Sequence, residues 1–189
     1  MDTKNIMIVG VGGQGTLLTS RILGSVMLSG GYQVKMSEVH GMAQRGGSVV
    51  TFVRYGDEVY EPIVEPGCAD VLIAFERLEA LRYAHFLKED GVIIVNDQRM
   101  DPMPVVMGAA EYPEGIIEKL SAEHNIISVD ALSEAKKLGN AKCFNVYILG
   151  VAARHMEFSK EQWLGAVRSN VKPKFAELNE AAFLAGYEG

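Results

Sequence analysis

The sequence predicts an α/β fold: a doubly wound, mainly parallel sheet with a hairpin insertion and a helical C-terminal tail. Three observations carry this. Short apolar runs bounded by glycine or polar residues, such as Ile6-Met7-Ile8-Val9 and Val92-Ile93-Ile94-Val95, read as buried strands. Stretches of helical period alternate with them. Beyond about residue 146 the pattern is helical alone.

The elements follow in order. After the strand at 6–9, Leu17, Leu18, Ile22, Val26 and Leu28 recur at near-helical spacing, giving a helix over 14–29 that Gly30-Gly31 ends. Residues 32–37 form the second strand. Residues 38–47 are non-helical, and 48–54 is a strand. Tyr55-Gly56-Asp57 is read as a hairpin turn returning through a strand at 58–60, which interrupts the β–α alternation. Alternation resumes with a strand at 71–75, a helix at 77–87 and a strand at 91–96. A loop at 101–104 leads to a short strand at 105–107, a helix at 114–124, a strand at 126–129 and a helix at 130–138. Helices at 146–155, 160–168 and 173–184 close the chain, with Pro173 in a first turn.

A length of 189 residues and the absence of a linker or internal repeat fit one domain over 1–189. The net charge of −6 argues against a nucleic-acid partner, which would call for a basic face. Two cysteines, Cys68 and Cys143, cannot hold an iron–sulfur cluster within the chain, and they suit a reducing cytoplasm. Both read as small buried core residues. The polar start and the short apolar run after it are not a secretion signal, and no run is long enough to span a membrane. No pair of the four histidines has zinc-ligand spacing, so no metal site is expected. His85, His124 and His155 read as surface or capping groups. Asp97, Asp101 and Asp130 read as turn and cap residues, with Asn96 and Asp97 at a strand end on the ligand side. The nine methionines fill core and interface gaps.

Two segments carry chemistry. Gly10-Val11-Gly12-Gly13-Gln14-Gly15 contains a GxGxxG turn between a strand and a helix, the Rossmann-like arrangement in which backbone N–H groups and the helix dipole face an anion. Glu38 stands 23 residues after Gly15, near the spacing of about 20 at which a dinucleotide fold places its acidic residue. NAD or FAD binding by a stand-alone chain therefore stays open, as does a purely packing role for the glycines. The second segment, from Glu38 to Ser48, brings His40, Gln44, Arg45 and Ser48. Its Gly46-Gly47 pair is suited to a backbone anion nest. In a parallel sheet this loop should stand beside the glycine turn, because the second strand ends next to the first. Arg45 suits bidentate binding of a carboxylate or phosphate. The same composition suits a subunit interface. Only His40 and Arg45 are considered for catalysis, and neither is assigned to it.

Ile8-Val9-Gly10-Val11-Gly12-Gly13-Gln14-Gly15 together with Ser37-Glu38-Val39-His40-Gly41-Met42-Ala43-Gln44-Arg45-Gly46-Gly47-Ser48-Val49 resembles the gamma subunit or domain of the pyruvate, 2-oxoglutarate and indolepyruvate ferredoxin oxidoreductases. Ala69-Asp70-Val71-Leu72-Ile73-Ala74-Phe75-Glu76 and Asn145-Val146-Tyr147-Ile148-Leu149-Gly150 fit the same pattern. The His40-Gly41-Met42 form is most similar to the beta subunit of the indolepyruvate type. The resemblance implies a small subunit of a complex that turns a 2-oxoacid, coenzyme A and oxidised ferredoxin into acyl-CoA, carbon dioxide and reduced ferredoxin. It places thiamine diphosphate and iron–sulfur clusters in a large partner subunit, and ferredoxin reaches this chain only through the complex. The isolated chain would be inactive. Gly12, Gly13, Gln14 and Gly15 would approach the phosphates of coenzyme A, and Arg45 would face the active site or the partner. A pyruvate- or 2-oxoglutarate-type subunit is the neighbouring alternative.

Overall fold

The central strands turn alternate side chains into two separate apolar layers. In the computed structural model, which describes residues 2–41 and 46–189, six strands form one sheet. They are β1 (Lys4–Val11), β2 (Gln33–His40), β3 (Ser48–Gly56), β4 (Ala69–Ala74), β5 (Leu87–Asn96) and β6 (Asn125–Val129), in the order β2-β3-β1-β4-β5-β6. The pairs β1–β4, β4–β5 and β5–β6 are parallel, while β3 runs antiparallel to both β1 and β2.

On one face Ile6, Ile8, Val53, Ile73 and Ile94 pack under α1 (Thr16–Ser29), α5 (Ala131–Lys137), α6 (Phe144–Ala153), α7 (Lys160–Asn170) and α8 (Ala176–Glu188). On the other, Met7, Val9, Phe52, Leu72 and Val95 pack under α2 (Arg77–Tyr83) and α4 (Ile116–Glu123). The period of two along each strand thus fills two cores from one sheet.

Several expectations are corrected. The second strand does not adjoin the first, because β3 lies between them and pairs with β1 from Lys4↔Tyr55 to Val11↔Ser48. Val49, Val50, Phe52 and Val53 are buried on β3, which therefore needs a neighbour on each side, whereas β2 is largely exposed and carries Lys35 and Glu38, as suits an edge. The inserted hairpin is thus β2–β3. Residues 58–60 form no strand; Val59 donates instead to the Gln33 side chain, and Glu58 accepts from Thr3 Oγ1. Residues 105–107 are not a strand either. Pro102 opens the single helical turn α3 (Met103–Val106), and the neighbouring sheet positions are already taken by β4 and β6. Cys143 is buried, as expected, but Cys68 is exposed in the turn before β4.

Candidate functional site

The glycine turn joins β1 to α1 at the carboxyl end of the parallel strands, where open α/β sheets bind ligands. Gly13 has φ of 101° and Gly15 a φ of 90°, a region that favours glycine. A side chain at Gly15 would strike the Asn145 amide, which donates to the Gly15 carbonyl at 3.3 Å. Space around Gly13 is open. The N-terminus of α1 has no side-chain cap and no acidic residue in its first turn, so no group within the helix offsets its dipole, and Glu38 is the carboxylate that lines the adjoining cavity.

Gln14 is 6% exposed and turned inward. Its Oε1 accepts from Val11 N at 2.7 Å, and its Nε2 donates to the Phe75 carbonyl at 3.0 Å and to Met100 Sδ at 3.2 Å. The side chain fixes the turn to the end of β4 and does not reach the cradle. Gly10 leaves the space this needs, because a Cβ there would meet Gln14 Oε1 at 2.9 Å and Phe75 Cβ at 3.1 Å.

The second loop does stand beside the turn. Gly12 N donates to the Gly47 carbonyl at 2.9 Å, and Gly46 N to the Gly12 carbonyl at 3.3 Å. Gly46 has φ of 77°, as a nest requires, but its N–H is spent on Gly12. Gly12, Gly13, Thr16, Glu38, His40 and Val49 line a cavity of about 190 Å3. Glu38 lies across β3 from β1 and accepts from Thr51 Oγ1 at 3.2 Å. The adjoining second strand of a dinucleotide-binding arrangement is absent, although Glu38 reaches the same cavity. His40 is exposed, with Nδ1 at 3.1 Å from the Gly41 carbonyl, and no carboxylate among the described residues orients it. Gln44 and Arg45 lie outside the described residues.

Ser48 Oγ donates to Glu79 Oε2 at 2.5 Å. Glu79 is 4% exposed, and burial raises its pKa; the Ser48 hydrogen bond and Arg82 pull it down, and Glu76 pushes it up. Glu76 caps α2, accepting from Glu79 N and Met100 N at 3.1 Å each and from the Tyr112 hydroxyl. Glu79 and Tyr112 carry no signal in the sequence, and Glu76 stands out there only as part of a longer motif. Glu79 also pairs with Arg82 at 3.5 Å from its buried position. Asn96 is consumed structurally, donating to the Phe75 carbonyl at 3.2 Å and accepting from Ala131 N at 3.1 Å. Asp97 pairs with Arg77, Asp101 with Arg99, and Asp130 caps α5. Among the described residues no group of three potential ligands could hold a metal ion, and no helix is long and apolar enough to cross a membrane.

A sheet with one antiparallel strand beside a glycine turn, locked to a second glycine loop, defines a class. The family model for pyruvate ferredoxin/flavodoxin oxidoreductase matches residues 5–189, and the chain belongs to that family. It is 41% identical over 192 residues to indolepyruvate oxidoreductase subunit IorB of Pyrococcus horikoshii, covering 98% of this chain and 95% of that one. It is 42% identical over 190 residues to the IorB subunit of Archaeoglobus fulgidus, covering 97% and 93%. Its structure is similar to that of the keto/oxoacid ferredoxin oxidoreductase gamma subunit from Geobacter sulfurreducens, with a TM-score of 0.73 and 26% identity over 98% of this chain and 96% of the other.

Proposed function

We propose that the chain is the small subunit of a cytoplasmic, ferredoxin-dependent oxidoreductase of indolepyruvate or other arylpyruvates. The whole complex converts the 2-oxoacid, coenzyme A and oxidised ferredoxin into acyl-CoA, carbon dioxide and reduced ferredoxin. Thiamine diphosphate and iron–sulfur chemistry belong to the large partner, because two cysteines at Cys68 and Cys143 cannot ligate a cluster here. This chain contributes assembly and a contact to coenzyme A. The reading rests on one observation above the others: the reciprocal Gly12–Gly47 and Gly46–Gly12 hydrogen bonds that hold the two glycine loops together. They leave the open face of Gly13 and the uncapped start of α1 toward solvent, a backbone cradle fit for one phosphate. A cavity of about 190 Å3 takes only that part of a larger molecule.

The tagged chain, purified with its bound partner and assayed with arylpyruvates, coenzyme A and a viologen acceptor, tests the assignment. Gly13→Asp and Gly13→Asn impose similar backbone strain and differ in charge. We expect both to assemble, and the aspartate to raise the apparent KM for coenzyme A about tenfold over the asparagine by repelling phosphate. Equal constants in the two assembled variants would remove the phosphate contact and leave an assembly role alone.

A further inference from the structure

Glu79 is a carboxylate where a helix packed on a sheet ordinarily turns an apolar side chain inward. It is 4% exposed, and Leu78 and Ala80 beside it on α2 are buried as well. Burying a carboxylate is costly unless partners hold it. Glu79 has two: Ser48 Oγ, which donates to Oε2 at 2.5 Å, and the half-exposed Arg82, 3.5 Å from Oε1. Packing alone would be served at least as well by an apolar residue of similar size. The bond to Ser48 is what such a residue could not make.

Ser48 stands at the root of the second glycine loop. It opens β3 and faces Val11, the last residue of β1, so both glycine loops leave the sheet from one rung. Just beyond that rung, Gly12 N donates to the Gly47 carbonyl and Gly46 N to the Gly12 carbonyl. The second of these bonds orients a peptide unit. The Gly12–Gly13 peptide is trans, so its oxygen and its N–H point opposite ways. With the oxygen turned to Gly46, the Gly13 N–H is directed away from the second loop and makes no hydrogen bond among the described residues. A peptide between two glycines flips more readily than any other, and Gly13 sits at φ of 101° in open space. Flipped, it would present an oxygen where it now presents a donor.

We propose that Glu79 is a positioning residue for the glycine cradle. Through Ser48 it seats the Gly46-Gly47 loop against the glycine turn, and so keeps the Gly13 N–H, not the Gly12 oxygen, available to an anion. Glu79 itself touches no ligand. The geometry stands alone; its consequence for coenzyme A rests on the function proposed above.

Two variants of the full-length chain separate this role from packing. Glu79→Met fills the space without an acceptor, and Glu79→Gln keeps an acceptor for Ser48. Amide exchange followed by NMR reads the Gly12 and Gly46 N–H groups, with the buried Ile8 and Ile73 of the central strands as references. A hydrogen bond to a charged group shifts a local opening by about tenfold, so Gly12 and Gly46 are expected to exchange about tenfold faster in Glu79→Met. Glu79→Gln and both references should keep wild-type rates. In the assembled complex, Glu79→Met is expected to raise the apparent KM for coenzyme A about tenfold without moving that for the 2-oxoacid, and Glu79→Gln to restore it. Ser48→Ala removes the same bond from the other side and decides the matter if Glu79→Met does not fold. The proposal is overturned if the glycines exchange no faster, if the references accelerate equally, or if Glu79→Gln behaves like Glu79→Met. It is also overturned if the constant for coenzyme A stays unchanged while the Gly13 pair shows a phosphate contact. Equal constants in that pair would remove the coenzyme A reading instead, and exchange alone would then decide the positioning.

Discussion

Phe75 offers its carbonyl oxygen to two side-chain amides at once, Gln14 Nε2 from the glycine turn and Asn96 Nδ2 from the end of β5. One backbone atom thereby ties three strand ends together below the cradle. Gln14→Ala removes one of these donors and also the acceptor for Val11 N, in a place closed to water. Unmet buried groups cost about 1–3 kcal/mol each, and we expect a loss of that order in urea unfolding. Glu79 gives a pH-dependent counterpart. Burial raises its folded pKa above the unfolded value near 4.5, so the folded state holds the proton more tightly. The associated stability is present below about pH 4.5 and is lost as pH rises through the raised value. Glu79→Gln keeps a partner for Ser48 and removes the titration. As pH rises above about 4.5, stability should therefore fall less steeply for the variant than for the wild type; parallel curves would place the titration elsewhere. The glycines of the cradle were legible from their spacing, because only a tight turn asks for so many. Glu79 was not, since its burial depends on Ser48, which precedes it by 31 residues and reaches it only once the sheet has formed.

Helices α6 and α8 meet backbone to backbone. A Cβ at Gly150 would strike the Phe183 carbonyl, and one at Gly186 the Tyr147 carbonyl. Gly150→Ala must push the helices apart, and we expect a cost of about 1–3 kcal/mol, read as a lowered melting temperature. Gly165 provides the contrast. It lies exposed inside α7, and a methyl group there would meet no atom within 4 Å, so Gly165→Ala should stabilise by about 0.5–1 kcal/mol through helix propensity alone. Elements with strong period and clear caps were readable. The start of α7 is an example, where Ser159 and Gln162 form a capping box. Elements defined by pairing were less so. The polar start of β5, Leu87 to Asp90, becomes strand because Leu87 pairs with Ala69 across a bulge, and nothing local announces it. Val105 and Val106 have strand-forming side chains, but both sides of the preceding strand β5 are taken by β4 and β6, and Pro102 starts a helical turn there instead.

Across the whole molecule, one sheet serves two cores, and the C-terminal helices complete the first of them. Trp163 is fully buried there, stacked at 5.7 Å on Phe183 and grouped with Ile6, Ile8 and Ile73 from the sheet. If the tail and the sheet form one cooperative unit, Trp163 fluorescence and far-UV circular dichroism must trace the same denaturant transition, which is the outcome we expect. An earlier fluorescence change would show the tail undocking first. The placement of β3 between β2 and β1 has a kinetic side as well. β2 and β3 follow each other in the chain and pair antiparallel, so we expect them to form first as a local hairpin on which β1 then closes. β1, α1, β2 and β3 are thus all present once the chain has extended to Gly56, and the core beneath them is completed later by the C-terminal helices. Simple parallel winding would have made the first pairing wait for a longer loop to close; here the antiparallel strand lowers the entropic cost of that step and gives a growing chain an early, ordered template on which β4, β5 and β6 can add in turn.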